Sequence, residues 1–164
     1  GIYAFYVVPK QYKIIQAETS YIAKDYTAVV EGLKSEAPNS LPKGVQYTLA
    51  ASSLELDNLT QEQKEAVSRN LSQKSSENTL SYWIYIGRGE LEKALDIAQN
   101  IGDIQYILHA YTKLYDQVNT DSTMSGAKKR ELLEKYQKEI DKLQEQLNGS
   151  SKANSTSKET KNGN

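Results

Sequence analysis

The sequence predicts an all-α fold: stacked helical hairpins followed by one long C-terminal helix. Three observations predict it. Apolar residues recur at three- and four-residue intervals along most of the chain. No alternation of polar and apolar residues persists, and no Asn-Gly or Asp-Gly turn joins two runs of strand character. Glycine, proline and acidic caps punctuate the periodic stretches at short intervals, as helix ends require.

Element by element, Pro9 suits the first position of a helix, and Ile14, Ile15, Tyr21 and Ile22 repeat at helical spacing through YKIIQAETSYIAK. Asp25 caps a second helix with Val29, Val30 and Leu33 on one face, and APNSLP stops it because its prolines lack backbone donors. These two make one expected hairpin. A second follows, from VQYTLAASSLEL, with Val45, Leu49 and Leu56 at helical intervals, and TQEQKEAVSRNL, opened by a capping box of Thr60 and Gln63. In the next stretch Gly87 and Gly89 are expected to separate helix TLSYWIYI from helix ELEKALDIAQ, and Gly102 to end the latter before Asp103 caps another. That helix carries Ile104, Ile107, Leu108, Tyr111, Leu114, Tyr115 and Val118 as an almost unbroken stripe, which must be buried.

YIAKDYTAVVEGL at 21–33 and IGRGELEKALDIA at 86–98 echo one another, each with a helix end, a tight acidic turn and an anchor, Tyr26 or Leu91. The spacing is about twice a tetratricopeptide unit, so the hairpin stack is read as a degenerate tetratricopeptide-like array. Beyond it, GAKKRELLEKYQKEIDKLQEQLNG is one long helix, capped by Ser125, ended by Gly149 and supported by Glu131 with Lys135 and Glu134 with Lys138. Its seam of Leu133, Tyr136, Ile140, Leu143 and Leu147 has the 3, 4, 3, 4 spacing of a coiled coil. The seam is a candidate interaction surface with two possible partners, the preceding hairpins or a second copy of the chain. Residues 149–164 contain no large apolar side chain, cannot offset the entropy of ordering, and are expected to be a disordered polar tail.

Composition narrows the function. Lysine and arginine total 20 against 21 acidic residues, which leaves no electrostatic footprint for nucleic acid. The absence of cysteine excludes disulfides, thiolate metal sites and thiol nucleophiles. Twelve tyrosines against one Phe and one Trp favour surfaces that are apolar in body and wet at the rim. His109 is the sole histidine, lies beside the stripe of its helix, and has neither a thiol nor a second histidine to work with, so it receives no role. Gly87-Arg88-Gly89 follows a helix, not a strand, and lacks the remaining P-loop residues; it is read as a tight turn. No catalytic, cofactor-binding or metal-ligating set emerges, and the chain is expected not to be an enzyme, with no cofactor and no small-molecule substrate. An enzymatic reading would need a cleft with convergent titratable groups.

The first eight residues, GIYAFYVV, follow neither an initiating Met nor a positively charged segment, so they are not expected to be a signal peptide. They are either a buried segment or the last two turns of a membrane helix, whose full span needs about 20 apolar residues. On the second reading Tyr3, Phe5 and Tyr6 form the interfacial belt, and Lys10 and Lys13 lie at headgroup level.

The combination of a lead ending VVPKQ, then LPKGVQYTLA, then SYWIYIGRGELEKALDIAQNIGDIQYILHAYTKL, then a GAKKRELLEKY helix resembles the C-terminal part of the EssB/YukC proteins of the type VII secretion system. The resemblance extends to about residue 148 and implies a bitopic membrane protein, with 1–8 ending its transmembrane helix and 9–148 forming an extracellular helical domain. It further implies a non-catalytic scaffold at the cell membrane, dimeric and in contact with other secretion subunits. The competing reading is a soluble tetratricopeptide-like module that holds a peptide in its concave face.

Overall fold

A computed structural model describes the backbone of residues 8–161 and the side chains of 8–149. Among the described residues there are eight α-helices and one 3-10 turn, with no strand: α1 (Lys10–Ile22), α2 (Tyr26–Gly32), the turn Pro38–Ser40, α3 (Lys43–Leu56), α4 (Gln61–Arg69), α5 (Glu77–Arg88), α6 (Leu91–Ile101), α7 (Ile104–Asn119) and α8 (Gly126–Lys161). The chain divides into two compact units, 1–97 and 98–164.

In the first unit α2 packs on α1 and α3, and α3 packs most extensively on α5. The second hairpin is therefore α3 with α5 and not, as the sequence order implied, α3 with α4. The reason is composition: QEQKEAVSR offers α4 little apolar surface, and none of its residues is buried. The Thr60 and Gln63 capping box does form, with both reciprocal hydrogen bonds, so α4 is held by its N-terminus. Between α3 and α5 the core contains Leu49, Ala50 and Leu54 with Leu80, Tyr82, Trp83 and Ile84, all buried. Leu56, expected on the buried face of α3, is exposed, and Leu54 takes the inward place.

The α3 and α5 helices approach closely because small residues meet. Gly87 lies inside α5, not in the turn after it. A Cβ on Gly87 would stand 2.1 Å from Ser53 Oγ and 2.4 Å from Ser53 Cβ, so glycine is required there by the neighbouring helix. Gly89 alone makes the turn, in the left-handed region at φ 73°.

The echo of the two segments is visible in the backbone. At the end of α1 the Asp25 N–H donates to the Ser20 carbonyl at 2.8 Å; at the end of α5 the Glu90 N–H donates to the Tyr85 carbonyl at 3.0 Å. Both are the six-to-one closure of a Schellman turn, and each places a left-handed residue one position earlier, Lys24 (φ 61°) and Gly89. The turn repeats although only one copy carries glycine. Pro9 precedes the first helical residue of α1 and occupies the cap position, one place before the expected one.

The second unit is built on α7 and α8, which pack together. Asp103 caps α7 by accepting from the N–H groups of Gln105 and Tyr106. Ser125 accepts from the Lys128 N–H at the start of α8. The helix does not end at Gly149 but continues to Lys161. One interior glycine costs a helix only about 1 kcal/mol, no proline follows, and the polar residues beyond it keep helical backbone without any apolar face to bury.

Candidate interaction surfaces

The expected membrane-interface residues Tyr3, Phe5 and Tyr6 lie outside the described residues. Lys10 and Lys13 are described, and both turn toward the protein. Lys10 Nζ donates to the Ser40 carbonyl at 2.5 Å, and Lys13 Nζ reaches Ser35 Oγ at 3.1 Å and Glu36 Oε1 at 3.4 Å. These bonds tie the start of α1 to the segment that follows α2, while the helix packs on α2 and α3, with the Tyr21 ring beside that of Tyr26. Burial raises the pKa of the Tyr21 hydroxyl, and neighbouring Tyr47 and Tyr26 push it the same way.

Ile15 and Ile22, grouped with Ile14 and Tyr21 in the sequence, point outward. Ile15 is 60% exposed and Ile22 83%, and Tyr12 on the same side is also exposed. Spacing alone placed all of these residues on a helix without distinguishing two apolar faces. The signal was present in the order Tyr12, Ile15, Thr19, Ile22, a stripe roughly opposite Ala17 at 100° per residue.

On α8 the seam is buried. Tyr136, Ile140 and Leu143 retain no more than 8% exposure, while Leu133 and Leu147 are half-buried at its ends. The Tyr136 ring lies 6.1 Å from that of Tyr111 on α7, at a 49° tilt. Burial, followed by the Glu139 charge and Tyr136, raises the pKa of the Tyr111 hydroxyl. Of the two partners open to the seam, the structure uses the chain's own preceding helix.

Arg88, which sequence reasoning left in a turn, joins two elements. Its guanidinium donates to the Leu33 carbonyl at 2.9 Å, just past the end of α2, and burial pulls its pKa below the usual arginine value against the opposing effect of Glu90. His109 is half-buried. Among the described residues no three His, Cys, Asp or Glu side chains come together as a metal site, and no helix is long and apolar enough to cross a membrane. A shallow polar depression on α8, lined by Asp141, Gln144, Glu145 and Asn148, follows a single helix face and converges on nothing.

Fold and surfaces define an all-α hairpin domain whose notable exposed feature is one apolar helix face. The family model described as "WXG100 protein secretion system (Wss), protein YukC" matches residues 2–146, and the chain belongs to this EssB/YukC family of type VII secretion components. It is 46% identical over 138 residues to an uncharacterised protein of Clostridium acetobutylicum, a match that covers 84% of this chain and 37% of that protein. It is 32% identical over 142 residues to the ESX secretion system protein YukC of Bacillus subtilis, covering 82% of this chain and 32% of the relative. The chain thus spans about a third of the length of these relatives. Its fold is similar to the crystal structure of the Geobacillus thermodenitrificans EssB extracellular fragment, with TM-score 0.79 and 34% identity over 90% of this chain and 98% of that one.

Proposed function

We propose that this chain is the extracellular helical domain of a single-pass membrane protein, and that it serves the type VII secretion machine as a non-catalytic structural part. It works through contacts with a second copy and with other membrane subunits of the machine. Residues 1–8 end the transmembrane helix, and the helical domain begins after Pro9. The observation that carries this reading is the likeness, over nine-tenths of the chain, to a solved fragment whose own description is extracellular. Belonging to a secretion family supports a role in assembly.

A topology experiment tests the reading. In the full-length protein, with any cysteines outside this segment removed, Lys138→Cys offers an exposed thiol on α8. A membrane-impermeant maleimide should label it in intact cells as fully as in lysed ones. Labelling only after lysis would place the domain in the cytoplasm and overturn the proposal.

A further inference from the structure

The segment 33–41, between α2 and α3, is fastened to its neighbours unequally. Leu33, Pro38 and Leu41 anchor it by burial. Gln46 of α3 donates to the Leu41 carbonyl at 2.8 Å, Arg88 of α5 donates to the Leu33 carbonyl at 2.9 Å, and the Ser81 hydroxyl of α5 donates to Asn39 Oδ1 at 3.3 Å. From α1 the segment receives two lysines: Lys10 on the Ser40 carbonyl, and Lys13 on Ser35 and Glu36.

α1 itself has little else to hold it. Ala17 is its one fully buried residue, while Tyr12, Ile15 and Ile22 are 54%, 60% and 83% exposed. At its far end the Tyr21 ring meets that of Tyr26 edge-on, with centres 6.1 Å apart. The connection to α2 is residues 23–25, centred on Lys24, a side-chain-bearing residue in the left-handed region at φ 61°. α2 packs on α3, and α3 on α5, in contacts that α1 does not share.

We infer that α1 is a releasable stalk. It detaches from the unit as one piece, from Lys10 to the turn at Lys24, while the 33–41 segment stays seated on α3 and α5; Lys10 and Lys13 are the latch. Partly exposed polar contacts of this kind are individually weak, so the latch closes reversibly. Segments held by few buried apolar contacts are the ones that open well before the fold as a whole. Release also frees Lys24 from its left-handed backbone. A helix of 13 residues without cover is marginal in water, so α1 melts as it leaves. The same residues then change from a rod of about 20 Å to a tether that reaches as far as about 45 Å. The use of such a stalk rests on the proposed function. On that reading the start of α1 is its end nearest the bilayer, and the latch decides whether α2–α5 stand at a fixed height or on a slack tether.

Hydrogen exchange of the whole chain, read by mass spectrometry on peptides from α1, α3 and α5, tests the latch. In the unmodified chain the α1 amides should exchange through an opening that α3 and α5 do not share. Lys10→Ala with Lys13→Ala should speed α1 exchange roughly tenfold and leave α3 and α5 as they were. Glu36→Gln, which alters only the far side of the latch, should speed α1 by less, and should add nothing in a Lys13→Ala background. Exchange at α1 as slow as at α3 and α5, a lysine variant that speeds all three helices together, or one that leaves α1 unchanged would overturn the stalk. None of these outcomes depends on a membrane. If the maleimide labels the domain only after lysis, the latch stands and its use beside a bilayer falls.

Discussion

The outer face of α1 and the seam of α8 carry nearly the same pattern and meet opposite fates. Tyr12, Ile15, Thr19 and Ile22 are spaced 3, 4, 3; Leu133, Tyr136, Ile140, Leu143 and Leu147 are spaced 3, 4, 3, 4. The α8 seam is the longer and is covered by α7 within its own unit, while the α1 stripe stands in solvent. Periodicity identifies a stripe that needs cover but is silent on who provides it. The difference comes from the remaining faces. α7 has a stripe of its own to bury, with Tyr111, Leu114 and Val118 turned inward, and the short connection from Thr120 to Ser125 returns the chain onto it. α1 satisfies its unit with Ile14, Ala17 and Tyr21, and nothing in that unit is left to cover its back.

The largest expected effect breaks the comparison at α8. Ile140→Lys with Leu143→Lys places two charges at positions only 8% and 7% exposed. Burying or displacing them costs several kcal/mol, enough to unfold the α7–α8 unit. Circular dichroism should show a marked loss of helix at room temperature. The same pair of lysines at Ile15 and Ile22 is expected to leave the spectrum unchanged. A folded monomer from the α8 variant would show instead that its seam is an interface between chains.

A smaller effect is expected where two helices meet through backbone proximity and not through a stripe. Gly87→Ala forces a methyl into Ser53, whose Cα as well as its side chain stands within 3.1 Å of the added carbon. The α3–α5 crossing must open, at about 1–3 kcal/mol. Truncating only the hydroxyl with Ser53→Ala should give little relief, because the Ser53 Cβ itself is 2.4 Å away, whereas Ser53→Gly should recover part of the loss. Thermal unfolding of the two double variants distinguishes a steric origin from a helix-propensity effect, since propensity alone makes Gly87→Ala stabilising.

What the sequence made legible follows the same division. Local signals were readable because their chemistry is local: Asp25, Thr60 with Gln63, Asp103 and Ser125 all cap helices, and the stripe of α7 faces inward at Tyr111, Leu114 and Val118. The family resemblance was legible from YWIYIGRGE and ALDIAQNIGD, whose tyrosine, tryptophan and isoleucine at 82–84 prove to be core. Long-range facts were not readable. Nothing near Gly87 announces Ser53, which is distant in sequence, and the choice of α5 over α4 as the partner of α3 depends on which helix has apolar surface to offer. The two faces of α1 were conflated because Ile14 with Ile15 and Tyr21 with Ile22 are adjacent pairs, and a helix turns neighbours about 100° apart. At Gly149 a terminating residue was read where no left-handed backbone forms, since among the described glycines only Gly89 and Gly102 have positive φ.

The smallest expected effect sharpens the contrast between conformation and contact, at the two matched Schellman turns. Lys24 closes α1 at φ 61°, in a region that a side chain enters at a cost, and Gly89 closes α5 at φ 73° with open space around its Cα. Lys24→Gly should therefore stabilise the chain by up to about 1 kcal/mol, and Gly89→Ala should destabilise it by about the same amount. For a chain of this size each corresponds to a shift of roughly 2–4 °C in the melting temperature, in opposite directions. Neither substitution touches a packed side chain, so equal and opposite shifts would assign the effect to backbone conformation. If Lys24→Gly lowered the melting temperature, the lysine side chain would have to contribute more than its strained backbone costs, and the likeness of the two turns would be one of geometry without shared energetics.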